Sequence, residues 1–148
     1  MIINNIKELK KILENDKKSK IILGCGCFEI FHIGHLEYLK ESKKLGDILI
    51  IGVNCDEYIK EHKNRIPKFN LNERMEMIDS VKYVDYVFPF YDTTFDKCLI
   101  EIKPSIFVKG IDRKEVLEKE ICDKYDIKIE KIGEYKKASA TELRKYIN

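Results

Sequence analysis

The chain has 148 residues, of which 44% are hydrophobic and 36% charged, values typical of one globular domain rather than a disordered chain. The net charge is only +2, with Lys and Glu interspersed, so the composition favours neither a nucleic-acid-binding nor a membrane-binding surface. No apolar run reaches the length of a membrane span, and the N-terminus lacks the layout of a signal peptide. We therefore expect a cytoplasmic protein without nucleic-acid or membrane partners.

The cysteines predict free thiols. They are odd in number and dispersed, without a secretory signal, at Cys25, Cys27, Cys55, Cys98 and Cys122. Cys25 and Cys27 would point to one face of a strand end and suggest a metal pair. Because no second Cys or His pair stands at ligand spacing, we expect both to serve packing and no protein-bound metal.

Helix and strand patterns alternate through the first half of the chain. Apolar residues at helical spacing indicate the helices, and short continuous apolar runs indicate strands covered on both faces. The predicted elements are a helix in residues 1–16, a buried strand at 21–23, a helix over 35–45, a second buried strand at 48–53 and a short helix over 54–61.

The second half continues the alternation. Asn70-x-x-Glu73 is a capping-box sequence and predicts a helix from residue 71 to about 81. Pro89 is expected to stop the strand that follows. The predicted elements from there are a strand at 83–88, a helix over 94–102, a strand at 106–108, a helix over 113–124, an edge strand at 127–132 and a terminal helix opened by a second capping box at Ser139–Glu142.

This order predicts an α/β fold with a doubly wound, mostly parallel sheet of five strands. No internal repeat, low-complexity tract or long linker divides the chain. We therefore expect residues 1–148 to form a single domain, with the helix in residues 1–18 packed on it.

The stretch from Gly26 to His35 stands where the first buried strand gives way to a helix, the place where open α/β sheets bind ligands. His32 and His35 are three residues apart and would share one helix face. From there they would donate hydrogen bonds to phosphate oxygens or, as imidazolium ions, stabilise developing charge. Gly26 and Gly34 would let the backbone approach the same phosphates. The structural alternative is a histidine that only caps the helix.

The stretch Gly26-Cys27-Phe28, followed by His32-Ile33-Gly34-His35, resembles the signature of the cytidylyltransferase-like nucleotidylyltransferases, which share the H-x-G-H motif with class I aminoacyl-tRNA synthetases. The resemblance covers nearly the whole chain. The leading helix, the G-C-F form of the motif and Val108-Lys109-Gly110-x-Asp112 are most similar to the adenylyltransferase domain of ADP-heptose synthesis. Glycerol-3-phosphate cytidylyltransferase and archaeal FAD synthetase are more distant. A Rossmann-like fold is implied.

The resemblance implies a nucleotidyltransferase that moves a nucleoside monophosphate from ATP or CTP to a small phosphorylated acceptor, such as a sugar or polyol phosphate. Pyrophosphate would leave, with Mg²⁺ carried by the nucleotide phosphates. His32 and His35 would bind the triphosphate and stabilise the pentacovalent transition state. A homodimer is also implied. The aromatic segment 81–90 would supply its interface or simply fill the core.

The family also has a lysine that reaches the phosphates from the loop after the second strand. Lys60 and Lys63 both fall there, and Lys63 is favoured as the third catalytic residue, although a basic loop is more often a solvated surface. Arg74 resembles the arginine of an E-R helix start and would contact phosphate or pair with a neighbouring acid.

The remaining nucleotide-binding positions follow from the same resemblance. Asp112 would accept hydrogen bonds from the ribose or base, or would cap the next helix. The hydroxyls of Ser139-Ala140-Thr141 would hold phosphate, as in the S-T-T segment of the family, while also capping a helix. The full set of predicted nucleotide contacts is Gly26, Cys27, Phe28, Gly34, Lys60, Arg74, Lys109, Gly110, Asp112, Ser139, Ala140 and Thr141.

Three departures separate the chain from the family pattern. Glu29 stands where the family usually has Asp, and Ala140 replaces one hydroxyl of the S-T-T segment. The R-T-E-G-type sequence of glycerol-phosphate enzymes is missing around 134–137. Glu29 and Ala140 keep a second hypothesis open, a catalytically inactive nucleotide-binding sensor or subunit. A tRNA synthetase is disfavoured, because the chain has no K-M-S-K-S segment.

Overall fold

The structure, a computed structural model, describes residues 1–111, 114–133 and 143–146. A five-stranded sheet in the order β3-β2-β1-β4-β5 forms its centre, and every pairing is parallel. The strands are β1 (Ile21–Gly26), β2 (Ile48–Asn54), β3 (Tyr86–Phe90), β4 (Ile106–Gly110) and β5 (Lys128–Ile132). The helices are α1 (Ile6–Leu13), α2 (Ile33–Lys43), α3 (Asp56–Lys63), α4 (Leu71–Asp79), α5 (Asp96–Ile102) and α6 (Lys119–Lys124), followed by a 3₁₀ turn at Arg144–Tyr146. The predicted doubly wound parallel sheet is confirmed.

Each face of the sheet carries its own hydrophobic core, because successive side chains of a strand point to opposite faces. Ile22 and Leu49 pack under α2 and α4. Leu23 and Ile50 pack on the other face, under α1, α5 and α6. Burial on both faces explains why these strands are continuous apolar runs in the sequence.

The chain changes its direction of winding at β1. β2 and β3 lie on one side of it, and β4 and β5 lie on the other. The carboxyl ends of β1, β2 and β4 therefore meet at one edge, where the register places Gly26 beside Val53 and Gly24 beside Val108. This topological switch point is where open α/β sheets bind ligands.

The predicted end of the third strand is wrong. β3 continues through Pro89 to Phe90, and Pro89 lies opposite Val53 in the register. β3 is the last strand of the sheet, and the N-terminal segment pairs with its outer side as an isolated bridge at Val87. The nitrogen of Pro89, two residues further on, points to that same outer side and so is not needed as a donor within the sheet.

The predicted start of the helix over 113–124 is also wrong, since α6 begins at Lys119. The residues described before it, 114–118, are not helical. Glu118 is only 4% exposed and pairs with Lys109. This buried contact holds residue 118 against β4. Asp112 and Arg113 lie outside the described residues, as does the second capping box at 139–142.

The capping box of α4 is confirmed. Asn70 Oδ1 accepts a hydrogen bond from the Glu73 backbone N–H at 3.0 Å, and Glu73 Oε2 accepts one from the Asn70 N–H at 2.9 Å. None of the helices in the described ranges combines the length and the apolar character that crossing a membrane requires.

Candidate active site

The two predicted histidines form the N-terminal cap of α2. His32 is the N-cap residue, and its Nδ1 accepts a hydrogen bond from the Gly34 N–H at 3.0 Å. His35 Nδ1 accepts one from the His32 N–H at 3.3 Å, so the two residues make a reciprocal capping box. Their rings stack with centroids 3.8 Å apart. Capping therefore places both imidazoles side by side at the carboxyl edge of the sheet.

Both imidazoles are neutral near pH 7 in this arrangement. Burial, followed by the charges of His32 and Lys63, lowers the pKa of His35 to about 3, and the backbone of Ile30 acts weakly in the opposite direction. Burial lowers the pKa of His32 as well. Because each Nδ1 accepts a backbone hydrogen bond, the proton of each neutral ring is assigned to Nε2. The ligand-free chain thus presents two neutral Nε2–H donors, and the action of the rings as imidazolium ions on developing charge stays a prediction.

Phe28 packs beside the two histidines. Its backbone has φ 48°, a left-handed conformation that a non-glycine residue adopts only where its surroundings hold it. Its ring meets His35 edge-on, with centroids 5.2 Å apart, and is 6% exposed. A Cβ on Gly26 would lie 2.9 Å from Phe28 Cε2, so glycine permits the close approach of this ring. Phe28 therefore fixes the position of the His35 ring.

Arg74 lies beneath the same loop and has no exposed surface. Its guanidinium donates to the carbonyls of Cys27 at 2.6 Å, Asn54 at 2.8 Å and Phe69 at 3.0 Å. It also pairs with Asp56 Oδ1 at 2.7 Å. Of the two roles predicted for Arg74, the structure shows pairing with an acid, because the buried guanidinium has no open path to a phosphate.

Glu29 binds the basic loop that follows α3. Its side chain is 1% exposed, and its carboxylate pairs with Lys63 at 3.2 Å and with Arg65 at 2.7 Å. Asn64 between them adopts the left-handed conformation, with φ 51° and ψ 44°, which ends α3 and turns the chain so that both cations face Glu29. Lys60 is exposed on α3, one turn earlier.

Lys63 is the predicted lysine that the structure brings to the histidines. Its charge acts on His35 and on the thiol of Cys27, which it also contacts by a hydrogen bond. Burial raises the pKa of Cys27, which keeps this thiol protonated near neutral pH.

The ammonium of Lys109 lies on the other face of the sheet. Its Nζ is 3.8 Å from Glu118 Oε1 and 5.3 Å from the ring centroid of Phe107, which belongs to the core under α1, α5 and α6. Only the backbone of Lys109 and Gly110, at the end of β4, shares the edge with the histidines. The predicted contacts Asp112, Ser139, Ala140 and Thr141 lie outside the described residues.

The sequence reasoning missed a supporting residue, Tyr38. Its hydroxyl is buried and donates to the Val108 carbonyl at 2.8 Å, which ties α2 to β4. A Cβ on Gly24 would collide with Tyr38 Oη, so glycine in β1 makes room for this contact. The available signal was a tyrosine three residues after His35, on the same helix face as the motif.

The sequence of this chain was compared with known protein families. Residues 23–146 match the protein family described as Cytidylyltransferase-like. The chain belongs to this family. The membership confirms the predicted resemblance.

Similar proteins include the bifunctional protein HldE of Helicobacter hepaticus, which is 44% identical over 117 residues, covering 77% of this chain and 24% of that protein. HldE of Helicobacter pylori (strain ATCC 700392 / 26695) is 42% identical over 120 residues, covering 79% of this chain and 26% of that protein. The chain thus spans about a quarter of the length of these relatives.

Two solved structures are also similar. The lipopolysaccharide core biosynthesis protein from Thermoplasma volcanium GSS1 has a TM-score of 0.69 and 36% identity, covering 80% of this chain and 99% of that one. Pantoate-beta-alanine ligase from Francisella tularensis has a TM-score of 0.70 at 15% identity, covering 97% of this chain and 75% of that one. The second likeness shows a shared fold alone.

Proposed function

We propose that this chain transfers a nucleoside monophosphate from ATP or CTP to a small phosphorylated acceptor and releases pyrophosphate. The observation that carries the proposal is the stacked pair His32 and His35, whose Nε2–H groups are free of the capping bonds made by Nδ1. They stand at the N-terminus of α2, where the helix dipole favours a phosphate.

The proposed reaction is an in-line displacement at the α-phosphorus. An oxygen of the acceptor phosphate forms a new P–O bond, and the bond between the α-phosphorus and the oxygen bridging to the β-phosphate breaks. The departing electron pair stays on pyrophosphate. His32 and His35 would donate hydrogen bonds to the phosphate oxygens, and the Lys63 ammonium would offset the charge that gathers on them. No covalent enzyme intermediate is needed.

Mg²⁺ would arrive as part of the nucleotide substrate and neutralise the pyrophosphate that leaves. The described residues include no group of three or more His, Cys, Asp or Glu side chains that could hold a metal ion. Phosphate oxygens of the nucleotide are therefore the ligands we propose for it.

We propose a sugar phosphate as the acceptor. The similarity to the lipopolysaccharide core biosynthesis protein of Thermoplasma volcanium supports an activated sugar as the product. The similarity to HldE and the sequence resemblance to the adenylyltransferase domain of ADP-heptose synthesis support ATP as the donor. The homodimer and the cytoplasmic location stay predictions, and sedimentation velocity tests the dimer.

Pyrophosphate release, measured with ATP and with CTP against a panel of sugar and polyol phosphates in the presence of Mg²⁺, tests the proposal. His32→Asn and His35→Asn each keep an oxygen acceptor where Nδ1 stands but lose the Nε2–H donor. We expect each to lower turnover about 10²- to 10³-fold, the loss typical of one such donor. His62→Asn is the matched control on α3 and should leave turnover unchanged.

Two outcomes would contradict the proposal. Turnover that survives both substitutions would remove the histidines from the chemistry. Tight nucleotide binding without pyrophosphate release for any acceptor would instead favour the inactive sensor or subunit.

A further inference from the structure

We propose that Glu29 is a positioning residue that holds Lys63 until a triphosphate arrives, and that Arg65 is the partner that stays with Glu29 when Lys63 leaves. This inference rests on the proposed nucleotide site. It assigns separate roles to Lys63 and Arg65. The family resemblance had given a role only to Lys63.

The geometry of the cluster distinguishes the two cations. Arg65 donates from Nη2 to Glu29 Oε1 at 2.7 Å and from Nε to Oε2 at 3.2 Å, so its guanidinium engages both carboxylate oxygens. Lys63 donates at 3.2 Å to Oε1 alone, the oxygen that already accepts the shorter bond from Arg65. A planar guanidinium matches a carboxylate in this two-bond arrangement, whereas an ammonium acts as a point charge.

The charge balance at Glu29 also distinguishes Arg65 from Lys63. A carboxylate buried to 1% exposure needs a cation close by, because losing its partner would leave an uncompensated charge in a poorly solvated place. Arg65 satisfies that need one to one. Lys63 then carries one positive charge beyond what Glu29 requires, and it sits on a flexible stem with 33% of its side chain exposed.

The position of Lys63 would let its positive charge act on a bound triphosphate. The charge of Lys63 acts on His35, and Lys63 forms a hydrogen bond with Cys27. These two residues flank the segment 28–34 in the chain. A triphosphate brings several negative charges and competes with Glu29 for the ammonium. The lysine can transfer to it while Arg65 keeps the buried carboxylate neutralised. Removing Arg65 would make Glu29 retain Lys63.

The test asks how much Lys63 contributes to anion binding when Arg65 and Glu29 are varied. Inorganic tripolyphosphate is the probe, because it carries neither base nor acceptor, and calorimetry gives its dissociation constant. Lys63→Ala is introduced into three backgrounds: the unmodified chain, Arg65→Ala, and Arg65→Ala with Glu29→Gln. Lys11→Ala, which removes an exposed lysine of α1 outside the proposed site, is the control in each.

We expect Lys63→Ala to weaken binding at least about tenfold in the unmodified chain, the value of a hydrogen bond to a charged group. In Arg65→Ala the same change should cost less than about threefold, because Glu29 already holds the lysine. Adding Glu29→Gln releases the lysine and should restore the full cost. Lys11→Ala should have the same small effect in all three backgrounds.

An equal cost of Lys63→Ala in every background would overturn the inference, because a general effect of net charge does not depend on what holds the lysine. If Arg65→Ala fails to fold by circular dichroism, alone or together with Lys63→Ala, which leaves Glu29 without either cation, Arg65→Lys takes its place, and the same order of costs is expected with a smaller spread. If the unmodified chain binds neither tripolyphosphate nor ATP nor CTP, the proposed function itself fails and the inference falls with it. Binding with a flat pattern removes the inference alone.

Discussion

Two buried charges flank the carboxyl end of β1, and they are built in opposite ways. Arg74 is a cation with no exposed surface, and its acceptors are three main-chain carbonyls and the carboxylate of Asp56. Glu29 is an anion with 1% exposure, and its cations Lys63 and Arg65 are each about one third exposed.

The partners of Arg74 are therefore fixed, whereas those of Glu29 can exchange. The carbonyls around Arg74 belong to the main chain just after β1, at the end of β2 and just before α4, so they move only with the backbone. The partners of Glu29 are long side chains that solvent and anions can reach. Arg74 should therefore serve stability, whereas the Glu29 cluster should serve binding.

Arg74→Met would test this contrast most severely. It leaves three main-chain carbonyls and Asp56 without their donor, and we expect the free energy of unfolding to fall by about 3–5 kcal/mol. Arg65→Met is the matched control, since Lys63 still pairs with Glu29, and it should cost less than half as much. Urea denaturation measures both. A stable Arg74→Met variant that binds no nucleotide would instead favour the other role predicted for Arg74, a contact with phosphate.

The neutral, buried ring of His35 adds a third case to the comparison, because it should make stability depend on pH. Its pKa is about 3 in the folded chain against an ordinary value of 6.5, so between these values the unfolded chain binds the extra proton. Stability should fall as the pH drops from about 6.5 towards 3, by at most about 1.4 kcal/mol per pH unit. Burial lowers the pKa of His32 too, and its protonation acts in the same direction.

The variant His35→Asn keeps the capping acceptor and removes the titration. Its free energy of unfolding, from urea curves at about pH 5 and about pH 6.5, should depend less steeply on pH than that of the unmodified chain. This window lies above the range in which ordinary carboxyl groups titrate. Equal slopes would mean that His35 is not buried as a neutral ring.

The smallest effect is expected at the uncharged tie between α2 and β4. Tyr38→Phe removes the hydroxyl that donates to the Val108 carbonyl and should cost about 1 kcal/mol, the usual value of a neutral hydrogen bond. Tyr91→Phe, at a side chain that is 67% exposed, is the control and should change stability by less than about 0.5 kcal/mol. A cost equal to that of Arg74→Met would erase the distinction between charged and neutral supports.

Much of the fold followed from local patterns. The apolar runs identified β1 and β2, and the Asn70–Glu73 capping box located the start of α4. The misplaced ends have tertiary causes. Pro89 is tolerated only because β3 lies at the edge of the sheet, and the turn before α6 accompanies the burial of Glu118 against Lys109.

The site divides in the same way. The motif alone located His32 and His35, and the resemblance directed attention to the loop of Lys63. Neither indicated that both imidazoles would be neutral, because a pKa depends on burial and on neighbouring charges that the local sequence does not contain. Nor did they show that the Lys109 ammonium would lie on the opposite face of the sheet.

By itself, the sequence determined the α/β order of elements and the family motif, because both depend on residues close together in the chain. Only the tertiary structure decided which charges meet. Lys63 and Glu29 are 34 residues apart, and Arg74 and Cys27 are 47 residues apart. Their contacts depend on the parallel register of β1 with β2 and on the packing of α3 and α4 beside that edge, which no short-range pattern encodes.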